Sequence, residues 1–239
     1  MLIRLDKYLA DMGLGTRSQV KELIKKGKIN INGIVIKDGN LKVDSHKDIV
    51  YFEGNPIVYE EFEYYMLNKP SGVISASNDK HEKTVVDLIT DKKRDDLFPI
   101  GRLDKDTEGL LIISNDGELS HNLLSPKKHI NKTYYAELDK PLSKDKADKV
   151  CEGVYIEAGV KSMPAKLEYV NDINDTKVYL TIHEGKYHQV KRMFQAVGCK
   201  VTYLKRISMG PLKLDDKLQL GEYRRLTIEE VEALKKCNI

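Results

Sequence analysis

Phe98-Pro-Ile-Gly101-Arg102-Leu103-Asp104-Lys105-Asp106-Thr107-Glu108 is a charged loop flanked by glycine, and it runs straight into Gly109-Leu-Leu-Ile-Ile-Ser114, an apolar run of strand length. A carboxylate in such a loop is exposed at a strand end yet held by a rigid element, a common placement for chemistry. Upstream, the apolar Tyr64-Tyr-Met-Leu67 predicts a second strand, and Asn68-Lys69-Pro70-Ser71-Gly72 a turn. Downstream, Asn115-Asp116-Gly117 predicts a turn, and residues 118–124 a short helix ending before Pro126. Residues 132–138 and 177–182 read as further strands.

The last of these strands leads into His183-Glu-Gly-Lys-Tyr187-His188-Gln189-Val190-Lys191-Arg192-Met193-Phe194. Val190, Met193, Phe194 and Val197 form an apolar helix face, with His188, Lys191, Arg192 and Gln195 opposite at the same spacing. A basic helix face at a strand end can aim a cation into a cleft. By periodicity alone, it reads as an ordinary amphipathic surface helix.

Residues 1–60 read as a separate module. Leu5, Tyr8, Leu9 and Met12 make one helical stripe. Thr16 to Gln19 has capping-box spacing ahead of Val20, Leu23 and Ile24, with Gly27 ending that helix. Arg17, Lys21, Lys25 and Lys28 line its other side, and Asn32-Gly33 between two Ile-rich runs predicts a hairpin. The boundary is expected in the acidic stretch from Glu53 to Glu63.

Overall charge is mild, at +3, but unevenly distributed. Basic residues outnumber acidic ones over residues 1–30 and again over residues 183–206, which points to a polyanion held at two places. Cys151, Cys199 and Cys237 are far apart, so neither disulfides nor a zinc site is expected. The amino terminus is charged from Arg4 and no long apolar run follows, so a cytoplasmic location is expected. Phosphate-binding glycine loops and a nucleophile elbow are lacking, which leaves nucleotide cofactors and serine hydrolysis without support.

Residues 1–60 resemble the S4 RNA-binding domain, a likeness carried by Arg4-Leu-Asp-Lys-Tyr-Leu-Ala and by Ser18-Gln-Val-Lys21 with Gly27-Lys28-Ile-Asn-Ile-Asn-Gly33. Gly101-Arg-Leu-Asp104, Lys132-Thr-Tyr134 and Glu184-Gly-Lys-Tyr-His-Gln-Val-Lys-Arg-Met193 resemble, in order, the three motifs of the pseudouridine synthases. Together the likenesses cover essentially the whole chain, and the match is nearest to members acting on small-subunit ribosomal RNA. Large-subunit relatives more often carry arginine where this chain has Lys191.

The resemblance implies an α+β fold: an S4-like domain over residues 1–60, then a catalytic domain over 61–239 built on a mixed, mainly antiparallel sheet. It implies isomerisation of uridine in RNA, without cofactor or metal. The implied substrate is 16S ribosomal RNA in a partly assembled small subunit, acted on by a monomer. Asp104 becomes the implied catalytic aspartate, adding to C6 or C1′ of the nucleotide or acting as a base, with Lys191 as its ion-pair partner and Tyr134 against the base. Arg102, His188, Gln189 and Arg192, with Arg17, Lys21 and Lys25 of the amino-terminal helix, are the implied RNA contacts. Asp106 and Glu108 are expected to shape the loop by bonding its own amides, and Asp116 to serve a turn. The competing readings are a large-subunit enzyme, a non-catalytic S4-containing assembly factor, and glycosidase-like chemistry drawn from Asp106, Glu108 or Asp116.

Overall fold

The structure, a computed structural model, describes residues 1–170 and 175–237. The chain forms two compact units, Met1–Glu63 with Thr90–Leu97, and Tyr64–Ile89 with Phe98–Ile239.

In the first unit the apolar stripe folds as the helix Leu5–Asp11. Thr16 caps the helix Arg17–Lys25 through a reciprocal capping box with Gln19, as its spacing requires. Leu5, Leu9, Val20, Ile24, Ile29 and Val50 share one core. Asn32 and Gly33 both take positive φ, 51° and 87°, the backbone of the primed turn that joins Ile29–Ile31 to Ile34–Val35. Val50–Phe52 and Asn55–Ile57 complete a four-stranded antiparallel sheet. Nothing in the sequence pattern marks residues 90–97 as part of this unit. Arg94 secures them, with its buried guanidinium 2.5 Å from Asp96 and 3.5 Å from Asp11. The Glu63 carboxylate accepts the backbone N–H groups of Lys93 and Arg94 at 3.1 and 2.9 Å.

Nine of the described strands build the sheet of the second unit. Across it run Lys166–Tyr169, Lys177–Ile182, Lys132–Leu138, Val201–Met209, Glu108–Ser114, Tyr64–Lys69 and Tyr223–Arg225. Every neighbouring pair is antiparallel except Val201–Met209 with Glu108–Ser114, so the sheet is mixed and mainly antiparallel, as expected. At that parallel pair Arg206 lies beside Gly109, which has φ 99°. A Cβ there would sit 2.2 Å from the Arg206 carbonyl oxygen, so only glycine lets the two backbones approach. The helices Gly117–Leu124 and Ile228–Lys236 bury Leu119, Leu123 and Leu234 against Met66, Ile112 and Met209. Thr227 and Glu230 form a reciprocal capping box at the start of the second.

Two local expectations are corrected. The first strand does not turn at Asn68. It keeps its ladder as far as Lys69, opposite Gly109, and turns only after Pro70 removes a donor. Asp116 does more than turn the chain: its carboxylate accepts the Leu119 N–H at 2.9 Å, capping Gly117–Leu124, and the Tyr64 hydroxyl donates to its other oxygen at 2.7 Å. Among the described residues no helix is long and apolar enough to cross a membrane.

Candidate active site

Asp104 sits in the loop between the strands Phe98–Ile100 and Glu108–Ser114, which pair with each other and so fix both ends. What holds the middle of the loop is Lys69, 0% exposed. Its ammonium donates to the carbonyls of Pro70, Lys105 and Thr107 at 3.0, 3.2 and 2.9 Å. Ser75 adds a reciprocal pair, its hydroxyl donating to Leu103 O and accepting Leu103 N–H. Burial outweighs the nearby carboxylates Asp106, Asp104 and Glu108 and pulls the Lys69 ammonium down to about 8. A lysine at the end of an apolar strand gives little warning of this role, since it reads as the strand's exit into solvent.

Lys191 lies in the first turn of the helix Gln189–Ala196, held down by the buried Val190, Met193 and Phe194. Its ammonium is 3.3 Å from Asp104 Oδ2, so the expected ion pair is present in the geometry. It is closer still to Asp106, at 2.6 Å. Asp106 therefore does not act through its own amide alone; it shares the lysine with Asp104. The Lys191 hydrogen bond holds the Asp106 carboxyl below the usual carboxylate range. Burial pulls the Lys191 ammonium down, but the Asp106 hydrogen bond and the charges of Asp104 and Asp106 outweigh it and leave its pKa above that of ordinary lysine. His188 Nε2 stands 3.5 Å from Asp104 Oδ1. His188 is the cap of this helix, not part of its basic face, and takes a left-handed backbone with φ 50°.

Tyr134 lies on the strand Lys132–Leu138 and walls the cleft that also holds Arg102, Asp104, Thr107, His188 and Leu204. The three sequence motifs thus meet around one opening. Arg102 is exposed at its rim. Gln189 is buried: its amide donates to Glu184 Oε1 at 2.7 Å and accepts the Lys186 N–H at 2.9 Å, so its polar atoms brace residues 184–189. Arg192 reaches Glu157 at 3.1 Å and stacks its guanidinium near the Tyr187 ring. Tyr187 itself is 70% exposed and stacked on His188, with ring centroids 3.8 Å apart. Glu108 departs from its expected role, since its carboxylate accepts the Tyr203 hydroxyl at 2.7 Å across the parallel pair of strands. In the first unit Arg17, Lys21 and Lys25 are all exposed on one helix.

A carboxylate fixed in a cleft beside one lysine, with an aromatic wall, suits attack on a planar base or sugar that has been swung out of a nucleic-acid strand. An RNA-binding module preceding such a cleft defines a class of RNA-modifying enzyme. The family model described as RNA pseudouridylate synthase matches residues 63–196, and the S4 domain model matches residues 3–50. The chain belongs to the pseudouridine synthases, isomerases that act on RNA.

It is 51% identical over 236 residues to the uncharacterized RNA pseudouridine synthase YtzG of Bacillus subtilis, covering 98% of this chain and 99% of that one. To the ribosomal small subunit pseudouridine synthase A of Vibrio vulnificus it is 41% identical over 235 residues, covering 98% and 100%. A solved structure described as a pseudouridylate synthase superposes with a TM-score of 0.68 at 40% identity, covering 97% of this chain and 99% of that one.

Proposed function

We propose that this enzyme converts a uridine of small-subunit ribosomal RNA to pseudouridine, with Asp104 as its nucleophile. The observation that carries the reading is Asp104 in a cleft walled by Tyr134, with the Lys191 ammonium 3.3 Å from its carboxylate. The overall change is an isomerisation. The N1–C1′ bond breaks, a C5–C1′ bond forms, and the proton lost at C5 is balanced by one gained at N1. No electrons or energy source are needed. Asp104 attacks the base or the sugar, and Lys191 holds its charge in place. Tyr134 stacks on the extruded uracil, offsetting part of the unstacking cost of a few kcal/mol. Arg102 and His188 take the RNA strand at the rim; Gln189 and Arg192 keep residues 184–192 in shape beside it. Arg17, Lys21 and Lys25 bind phosphates and supply affinity without sequence readout.

The small-subunit assignment is supported by full-length similarity to enzymes named for that subunit. We further assign the substrate to a partly assembled particle and the enzyme to the cytoplasm as a monomer. The test is pseudouridine formation on 16S and 23S transcripts and on precursor particles, using wild type and Asp104→Asn. Wild type is expected to modify 16S RNA. Asp104→Asn should lose at least about 10³-fold in turnover, beyond the loss of a single stabilising donor, while RNA affinity is retained. Full activity in Asp104→Asn would refute the nucleophile, and modification confined to 23S RNA would refute the substrate.

A further inference from the structure

Adjoining the cleft is a second cavity, which shares Arg102, Tyr134, Gly185 and Lys186 with it. Two buried cations line it. Lys132 is 8% exposed and Arg206 is 2% exposed, on adjacent strands. The Lys132 ammonium donates to Ile130 O at 2.9 Å, and Arg206 Nε donates to Leu110 O at 2.8 Å. Arg206 Nη2 is buried and has no partner. Among the described residues, no carboxylate lies within ion-pair distance of either side chain. Glu184 also lines the cavity, but its oxygens are taken by Met163 N–H, Gln189 and Lys186. Burial first, then the Arg206 charge, pulls the Lys132 ammonium down to about 8.

Two neighbouring cations under a protein surface with no counter-charge are costly unless an anion completes them. Arginine presents a fork suited to phosphate, and lysine a point charge beside it. We propose that this cavity is a phosphate subsite, and that Lys132 and Arg206 take a backbone phosphodiester of the RNA next to the uridine held at Asp104. This rests on the reading that the Asp104 cleft takes a nucleotide of RNA. A phosphate seated there would fix the strand beside Tyr134, so the extruded nucleotide would be gripped at its base and its backbone at once.

The test measures binding, in an Asp104→Asn background so that turnover cannot intervene. Target RNA carrying a single neutral methylphosphonate at each position around the modified uridine is titrated against this protein. One position should lose at least about tenfold in affinity. The same position should lose little when Lys132→Gln and Arg206→Lys are added. Those changes should also flatten the salt dependence by the equivalent of roughly one neutralised phosphate. Exposed Lys144→Gln, outside the cavity and outside both basic regions, should change neither result. The scan on unaltered Lys132 and Arg206 keeps the test valid even if the double variant folds poorly. A scan with no sensitive position overturns the proposal. If inorganic phosphate nevertheless stabilises the protein through Arg206, the site takes a free anion and the RNA assignment falls. A sensitive phosphate in a wild-type protein that never isomerises uridine would sustain the subsite while refuting the function.

Discussion

Lys191 serves two carboxylates at once, and the nearer one is Asp106. Asp106 is the more exposed of the two, so solvent screens its hold on the lysine and its removal should be tolerated. Asp106→Asn is expected to lower kcat/KM less than about tenfold, whereas Lys191→Met, which strips Asp104 of its cation, should cost about 10²–10³-fold. Single-turnover rates on the same RNA would rank them, and equal losses would show that Asp106, not Asp104, is the lysine's working partner. Lys69 makes a different prediction, because its ammonium is disfavoured in the fold, at about 8 against 10.5 for an ordinary lysine. Between those values the unfolded chain binds the proton and the native one does not, so stability rises with pH across that window. Denaturant midpoints should therefore climb from pH 8 towards 10.5 more steeply for wild type than for Lys69→Met. Parallel curves would mean that the ammonium is not desolvated.

At the scale of elements, the parallel pairing of Glu108–Ser114 with Val201–Met209 is the join on which the site depends. It brings the strand after the Asp104 loop beside the one carrying Arg206. Gly109→Ala would put a Cβ against backbone at that join and force a positive φ on alanine. It is expected to cost on the order of 3 kcal/mol, combining strain with overpacking, and to depress activity through the loop. Thermal unfolding of the variant checks this; an unchanged midpoint would mean that the strands separate easily. The sequence made these strands and helices readable where periodicity and turn chemistry were strong, as at Asn32-Gly33 and Thr16. The meeting of Asp104, Tyr134 and Lys191 was legible only through resemblance, because nothing in the spacing of three distant motifs brings them together. Lys69, Lys132 and Arg206 were not legible as buried groups. Each lies in or at the end of a strand where a cation ordinarily faces water, and only loops and neighbouring strands close over it.

For the whole molecule, the exposed Arg17, Lys21 and Lys25 lie in a unit other than the one that carries Asp104. Changing all three to Gln should weaken RNA binding and reduce the steepness of its salt dependence by roughly 0.7–0.9 for each phosphate no longer neutralised. Affinity measured at several salt concentrations tests this, and an unchanged slope would exclude that helix from the RNA interface. Charge removal is a cleaner test than truncation. Deleting residues 1–60 would strip Arg94 of Asp11 and Tyr59 and leave a buried guanidinium with fewer partners.

The chain leaves the first unit after Glu63, returns for Thr90–Leu97 and departs again. An RNA-binding module so threaded cannot be exchanged between enzymes as a simple amino-terminal cassette. A chimera must bring the donor's eight-residue return segment along with its first 63 residues, or the graft will lack its own keystone.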